Sequence, residues 1–342
     1  SDLAKPASWG ARAATLSDPK LATVTATNAA PAGQYSLEVT NLAAAHRLAS
    51  SPYSASTDAV GPGTLTIDVG TWTGTSFAAK AGSTPIVVTV DGTNDTLGGV
   101  RDAINAQANG AVRASIVTDS SGSRLVISST ATGAGSALRI SAADDDLDDT
   151  DSAGLSALAY AGDTSALAPG AKQVQAAQDA LIKVDGLTIR SATNKVEGAI
   201  EGITLNLTGS NPGTTATLGV AVDTQSATDL VNKFVTAYND SVKLFTGYLK
   251  IDPVGNADGL LQSDAGARSL GASLRTLATR QLPSGALASL SQAGIALQRD
   301  GTLSVNATKL AKALEGGTAD LATLFTATGG GVAEARGIAV GF

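Results

Sequence analysis

The residues of this chain that could do chemistry are few and poorly matched to one another. Six carboxylates crowd into AADDDLDDTDSAG, between Asp144 and Asp151, the run most suggestive of a cation. A calcium loop of the EF-hand type needs Gly at its sixth position for the sharp turn and Glu at its twelfth as a bidentate ligand, and neither is present. The run therefore reads as a solvated, mobile loop. His46, the single histidine, lies in an alanine stretch beside Arg47 and reads as a surface residue rather than a ligand or base. Cysteine is absent, which excludes disulfides, thiol catalysis and thiolate metal sites. The chain has no G-x-S-x-G elbow, no phosphate-cradling G-x-x-x-x-G-K-[ST] loop and no H-E-x-x-H helix. A paired-carboxylate glycosidase leaves no local signature, because its two acids can converge from distant positions. Such an enzyme needs a cleft lined with aromatic platforms, and the chain has Trp 2, Tyr 5 and Phe 5. No catalytic, cofactor-binding or metal residue is assigned, and the chain is expected not to be an enzyme.

Composition points the same way. The 342 residues are enough for more than one core. Gly 38 and aromatics at 4% describe a lightly built chain, while 43% hydrophobic residues still favour folding over disorder. A formal net charge of -7 disfavours a phosphate-binding surface, which needs clustered Lys and Arg, so no nucleic-acid partner is expected. No apolar run approaches a membrane span and no charged region followed by an apolar one marks a signal peptide, so no membrane partner is expected either.

The elements that would position any site fall into distinct textures. Val24 in ATVTATN, then Tyr35, Leu37 and Val39 in YSLEVT, alternate as strands do. GTLTIDVG, PIVVTVDG, VRASIVTD and SRLVISS add strands around a helix in TLGGVRDAINAQANG. There Leu97, Val100, Ile104 and Ala108 recur at three- and four-residue spacing and Gly110 is a natural stop. This mixed unit sits inside a β domain, with residues 152–176 as the connector back. Ile182 and Val184, the turn at Asp185-Gly186, then Leu187 and Ile189 form a hairpin. Asn194-x-x-Glu197 resembles a capping box over a short turn, with Gly198 and Gly202 relieving the backbone, before Ile203, Leu205 and Leu207 alternate again. Past Asp223 the texture is helical. Ser226-x-x-Asp229 reads as a capping box, and Leu230, Phe234, Tyr238, Val242, Phe245 and Leu249 keep one face apolar. A second helix runs from Asp264 with Leu270, Leu274 and Leu277 on one face before Pro283. GIALQRDGTLSVN turns at Asp300-Gly301 into an Asn306-capped helix carrying Leu310 and Leu314, and a short helix carries Leu321, Leu324 and Phe325.

Five ordered blocks resemble the flagellar filament cap family, also called hook-associated protein 2: ATLSDPKLATVTATNAAPAGQYSLEVTNLAAAHRLAS, DTLGGVRDAINAQANGAVRASIVTDSSGSRLVISS, SATNKVEGAIEGITLNL, FVTAYN and GIALQRDGTLSVN. The second block also resembles the IN motif of flagellins. The resemblance implies an α+β multidomain fold: a helical leg domain (1–18 and 224–342), a first β-rich head domain (19–58 and 172–223) and a second head domain (59–171) inserted in the first. It further implies a secreted, homo-oligomeric cap at the distal tip of the extracellular flagellum, with itself and flagellin as partners, no cofactor, and a role in flagellin insertion and filament elongation. The alternative is an extracellular adhesin head binding host mucin or glycans. The long coiled-coil terminal helices that the resemblance implies have no counterpart here, so the chain reads as the central part of such a protein.

Overall fold

A computed structural model describes residues 2–145, 148, 151, 153–162, 170–249, 261, 264–283, 285–327 and 338. Two 3₁₀ turns (Asp2–Ala4 and Pro6–Trp9) lead into β1 (Arg12–Leu16), β2 (Ala22–Ala26), β3 (Gly33–Asn41) and β4 (Arg47–Ala49). β5 (Gly63–Thr73), β6 (Ser76–Ala79) and β7 (Ile86–Val90) precede α1 (Leu97–Gln107), and β8 (Val112–Asp119), β9 (Gly122–Ser129) and β10 (Ala137–Asp144) follow it. Next come β11 (Lys172–Gln175), β12 (Ala180–Val184), β13 (Leu187–Ser191), β14 (Lys195–Glu197), β15 (Ile203–Leu207) and β16 (Ala216–Val222). The last part holds α2 (Thr224–Tyr248), α3 (Ala265–Ala278), β17 (Ile295–Leu297), β18 (Leu303–Val305), α4 (Ala307–Leu314) and α5 (Ala319–Thr326). The fold is mixed α/β, with five α-helices and several sheets among the described residues. It divides into two compact units, one of Leu16–Val24 and Gln34–Leu218, the other of Ser1–Thr15, Thr25–Gly33 and Gly219–Phe342.

In the β-rich unit, β5 is the spine of a four-stranded sheet: β10 pairs antiparallel along it, and β7 and β6 share its other edge. A second sheet runs β11-β4-β9-β8. β9 alternates strictly between buried and half-buried residues, the signature of a strand with one face on a core. α1 starts where the Thr96 hydroxyl accepts the Gly99 N–H at 3.1 Å. Its Leu97, Val100 and Ile104 are fully buried in one cluster with Leu65, Ile67, Val88, Leu125, Ile127, Leu138 and Ile140. Each such side chain contributes about 1.5–3 kcal/mol relative to exposure. Leu155, Leu158 and Tyr160 belong to the same cluster, so 152–176 is not simply a connector: its Gly154–Leu158 turn closes the core. Within 152–176, residues 152 and 163–169 lie outside the described residues.

The hairpin at Asp185-Gly186 forms as its sequence predicts, with both residues at positive φ (48° and 82°), the geometry of a type I′ turn. The expected capping box at Asn194 and Glu197 does not form. Lys195–Glu197 is strand β14, paired with β15 and with Val196 buried, because a tertiary partner strand was available to a segment too short to hold a helix. Gly198 and Gly202 do take positive φ (73° and 70°) in the loop between them.

In the helical unit the cap of α2 is Asp223, three residues before the expected Ser226. Its carboxylate accepts the Ser226 N–H at 2.9 Å, so Ser226 lies inside the first turn. α3 and α4 start as predicted, capped by Asp264 and Asn306. Trp9 stacks on Phe325 (5.1 Å, 19°), and Phe234 meets Phe325 edge-on (5.3 Å, 77°). Around them Val231, Leu310, Leu314, Leu321 and Leu324 complete the core. Of the apolar stripe on α2, Phe234 and Tyr238 are buried, while Leu230, Val242, Phe245 and Leu249 are half-buried. On α3, Leu270 is 51% exposed and does not join the face expected to be buried.

Candidate functional site

His46 and the buried carboxylates among the described residues are engaged in holding the fold. His46 is buried, against the expectation of a surface position: strands that pack over it come from 92 and 127 residues away, beyond what neighbouring alanines reveal. Burial pulls its pKa below the ordinary histidine value, with the hydrogen bond to Gln173 opposing. Of the acidic run, Asp144 is not in a solvated loop. It ends β10, is buried, and accepts the Ser156 N–H at 3.2 Å. Asp145 and Asp148 are exposed, while Asp146 and Asp149 lie outside the described residues. Among the described residues no cluster of His, Cys, Asp and Glu could hold a metal.

The other buried carboxylates also have partners. Asp68 pairs with Arg139 at 2.8 Å, and the Arg139 guanidinium lies over Phe77. Glu38 receives Gly213 N–H and Lys183, which together hold its carboxyl below the usual range. Three exposed aspartates, Asp91, Asp119 and Asp300, are lowered in the same way. Each accepts the hydroxyl and the N–H of the residue two positions on, Thr93, Ser121 and Thr302, and so closes a turn.

The quoted blocks contain structural asparagines whose role differs from the sequence expectation: Asn194 was expected to cap a turn, and Asn105 and Asn239 were not singled out. Asn105, in DAIN, donates to Ala114 C=O and accepts Ala114 N–H, both at 2.9 Å. Asn194, in SATN, does the same to Ala43 (3.0 and 2.7 Å), and Asn239, in TAYN, to Leu303 (2.9 and 2.7 Å). A carboxamide presents the same donor and acceptor as a peptide group, so each asparagine takes the place of a neighbouring strand. No local spacing announces this, because two of the partners are 151 and 64 residues away.

What the helical unit leaves open is a surface rather than a reaction centre. The C-terminal half of α2 and α3 border a groove of about 550 Å³, with Val242, Phe245, Leu249 and Leu274 as its apolar part and Arg268 and Arg275 beside them. Leu244, Tyr248 and Leu270 are exposed on the same two helices. Such a surface can bind another chain.

Comparison with known proteins agrees. Residues 1–46 match the family model of the flagellar hook-associated protein 2 N-terminus, residues 177–341 that of its C-terminus, and residues 64–131 the flagellin hook IN motif. The chain is 35% identical over 326 residues to the B-type flagellar hook-associated protein 2 of Pseudomonas aeruginosa, covering 92% of this chain and 66% of that protein. It is 32% identical over 337 residues to the A-type protein of the same species, covering 95% and 68%. It thus spans about two thirds of the length of these relatives. A crystal structure of the D1-D2-D3 domains of the Escherichia coli flagellar cap protein FliD superposes with a TM-score of 0.73 at 29% identity, covering 99% of this chain and 89% of that one. A FliD (HAP2) structure from Pseudomonas aeruginosa PAO1 gives 0.56 at 34% identity, covering 69% and 100%.

Proposed function

The chain belongs to the flagellar hook-associated protein 2 family, a family of structural cap proteins and not of enzymes, and from that premise we propose that it forms part of a cap at the distal tip of the bacterial flagellar filament. In this reading the protein is exported outside the cell, associates with copies of itself and with flagellin, and assists flagellin insertion as the filament grows. Residues 1–18 and 224–342, which hold β1 and the β17–β18 hairpin as well as the helices, act as a leg; the β-rich residues 19–58 and 172–223, with 59–171 inserted, act as a head. The observation that carries the reading is the match to both termini of one cap family, in order and on either side of the IN motif. The apolar groove on α2 and α3 supports it, since a protein that works by assembly needs surfaces rather than a polar pocket.

The test is complementation. The protein containing this chain, expressed in cells that lack their own cap, should restore filaments and motility, and antibody to the chain should label filament tips. Flagellin lost to the medium from cells that express and export the protein would overturn the reading.

A further inference from the structure

His46 is the chain's single histidine, and it is only 1% exposed. Its Nδ1 accepts the Leu138 N–H at 2.8 Å, so the ring proton is on Nε2, which donates to Gln173 Oε1 at 2.9 Å. Its backbone N–H donates to Ser129 Oγ at 2.9 Å. Tyr160 meets the ring edge-on at 5.4 Å, and its hydroxyl donates to the same Gln173 oxygen at 3.2 Å. Leu138 is engaged twice, because its carbonyl also accepts the Trp72 indole N–H at 3.0 Å. The imidazole thus ties the entry to β4 to β10 and β11, and the backbone N–H of the same residue ties it to β9.

We propose that His46 is a proton-sensitive latch of the β-rich unit: the neutral ring holds β10 and β11 to the chain entering β4, and a proton on Nδ1 sets donor against donor at Leu138, frees Trp72 and opens the unit in mild acid. The groups facing the ring from the packed elements are Ser129 of β9, Leu138 of β10, Gln173 of β11 and Tyr160, none of them charged at neutral pH. The charged neighbours along these strands are turned elsewhere. Arg47 and Lys172 are exposed, and Arg139 is paired with Asp68. Among the described residues no carboxylate is among the ring's hydrogen-bond partners to favour the imidazolium, and burial disfavours it.

The sign follows from linkage. The folded state takes the proton less readily than the unfolded chain, whose histidine titrates near about 6.5. The latch is therefore complete above that pH, weakens as pH falls toward the lower folded-state value, and loses nothing further below it. Within that window the unfolding constant rises about tenfold per pH unit. The helical unit contains no histidine and has no such dependence.

The experiment uses the whole chain, isotope-labelled, in urea at pH 7.5, 6.5 and 5.5. The His46 ring gives one resonance, and the two tryptophan indoles report the units separately, Trp72 the β-rich unit and Trp9 the helical one. The Trp72 transition should move to lower urea as pH falls, with an unfolding constant up to about tenfold larger at pH 5.5 than at 6.5. The Trp9 transition should move far less. In native protein the His46 resonance should titrate below the ordinary midpoint of about 6.5. His46→Asn, whose Oδ1 can accept from Leu138 but cannot be protonated, should abolish the pH dependence of Trp72. A native His46 titrating at or above about 6.5, the unperturbed value, or an unchanged pH slope in the variant, would overturn the latch. Should the variant fail to fold, the wild-type titration decides alone.

Discussion

Asn105, Asn194 and Asn239 carry more of this fold than their size suggests. Among the described residues β8 ends its sheet and pairs only with β9, so Ala114 would present a bare N–H and C=O were Asn105 not bound to both. Ala43, Ala114 and Leu303 are all buried, and removing a carboxamide leaves two backbone groups without their partner. Asn105→Ala, Asn194→Ala and Asn239→Ala should each lower stability by about 1–3 kcal/mol, the cost of unsatisfied buried polar groups. Asn→Asp should do little better, because a carboxylate can accept the N–H but only repels the carbonyl. Urea unfolding of each variant measures this, and a loss below about 0.5 kcal/mol, the range of ordinary surface changes, would mean that water replaces the amide. The sequence marks these positions within recognisable blocks, yet their role was illegible because an asparagine's partner is chosen by tertiary approach. The same holds for His46, whose burial comes from strands far along the chain.

Elements were legible where a local period or cap decides them. α1, the Asp185-Gly186 hairpin, the Asp264 and Asn306 caps and the β17–β18 turn all follow from short-range spacing. Where two local readings competed, tertiary pairing or a better cap prevailed, as at β14 and at Asp223. That cap gives a pH prediction. Hydrogen bonds from Ser226, first its hydroxyl and then its N–H, hold the Asp223 carboxyl below its ordinary value. A depressed carboxylate stabilises fully above the unfolded pKa near about 3.9 and loses its effect as pH falls through the lower folded value. Asp223→Ala should cost about 0.5–2 kcal/mol at neutral pH, and the gap to wild type should close below that window; a gap constant down to pH 2 would show that packing, not the cap, was lost. The divided stripe of α2 gives another. Phe234 is 7% exposed and meets both Phe325 and Tyr238, whereas Phe245 borders the open groove. Phe234→Ala should cost about 3–5 kcal/mol and Phe245→Ala no more than about half as much, both read from the Trp9 signal. Equal costs would show that the C-terminal half of α2 is packed as tightly as the first.

At the scale of the whole molecule, the question is where an inserted domain can be cut. The resemblance to the cap family implies a cut at 59 and 171. The pairing suggests that the natural cut lies further out. β4 pairs with β9, β11 pairs with β4, and Leu48 of β4 is 1% exposed within the cluster built on α1 and β5. Just outside them, Ala44 and Gln178 bridge reciprocally, Ala44 N–H to Gln178 C=O at 2.9 Å and Gln178 N–H to Ala44 C=O at 3.2 Å. Two chain ends already joined by a reciprocal bridge need only a short link, and closing a short loop costs little entropy. We therefore propose 45–177 as the separable piece. Replacing it with a few Gly and Ser residues should leave the helical unit folded, with the Trp9 transition within about 0.5 kcal/mol of the intact chain, the usual effect of changes that touch no core. Deleting only 59–171 strips β9 and the α1 cluster from Leu48 and leaves β4 and β11 as an isolated ribbon, which is marginal in water. That variant should aggregate or show a lower transition. If both deletions behave alike, β4 and β11 belong to the remaining head, and the narrower boundary is the correct one.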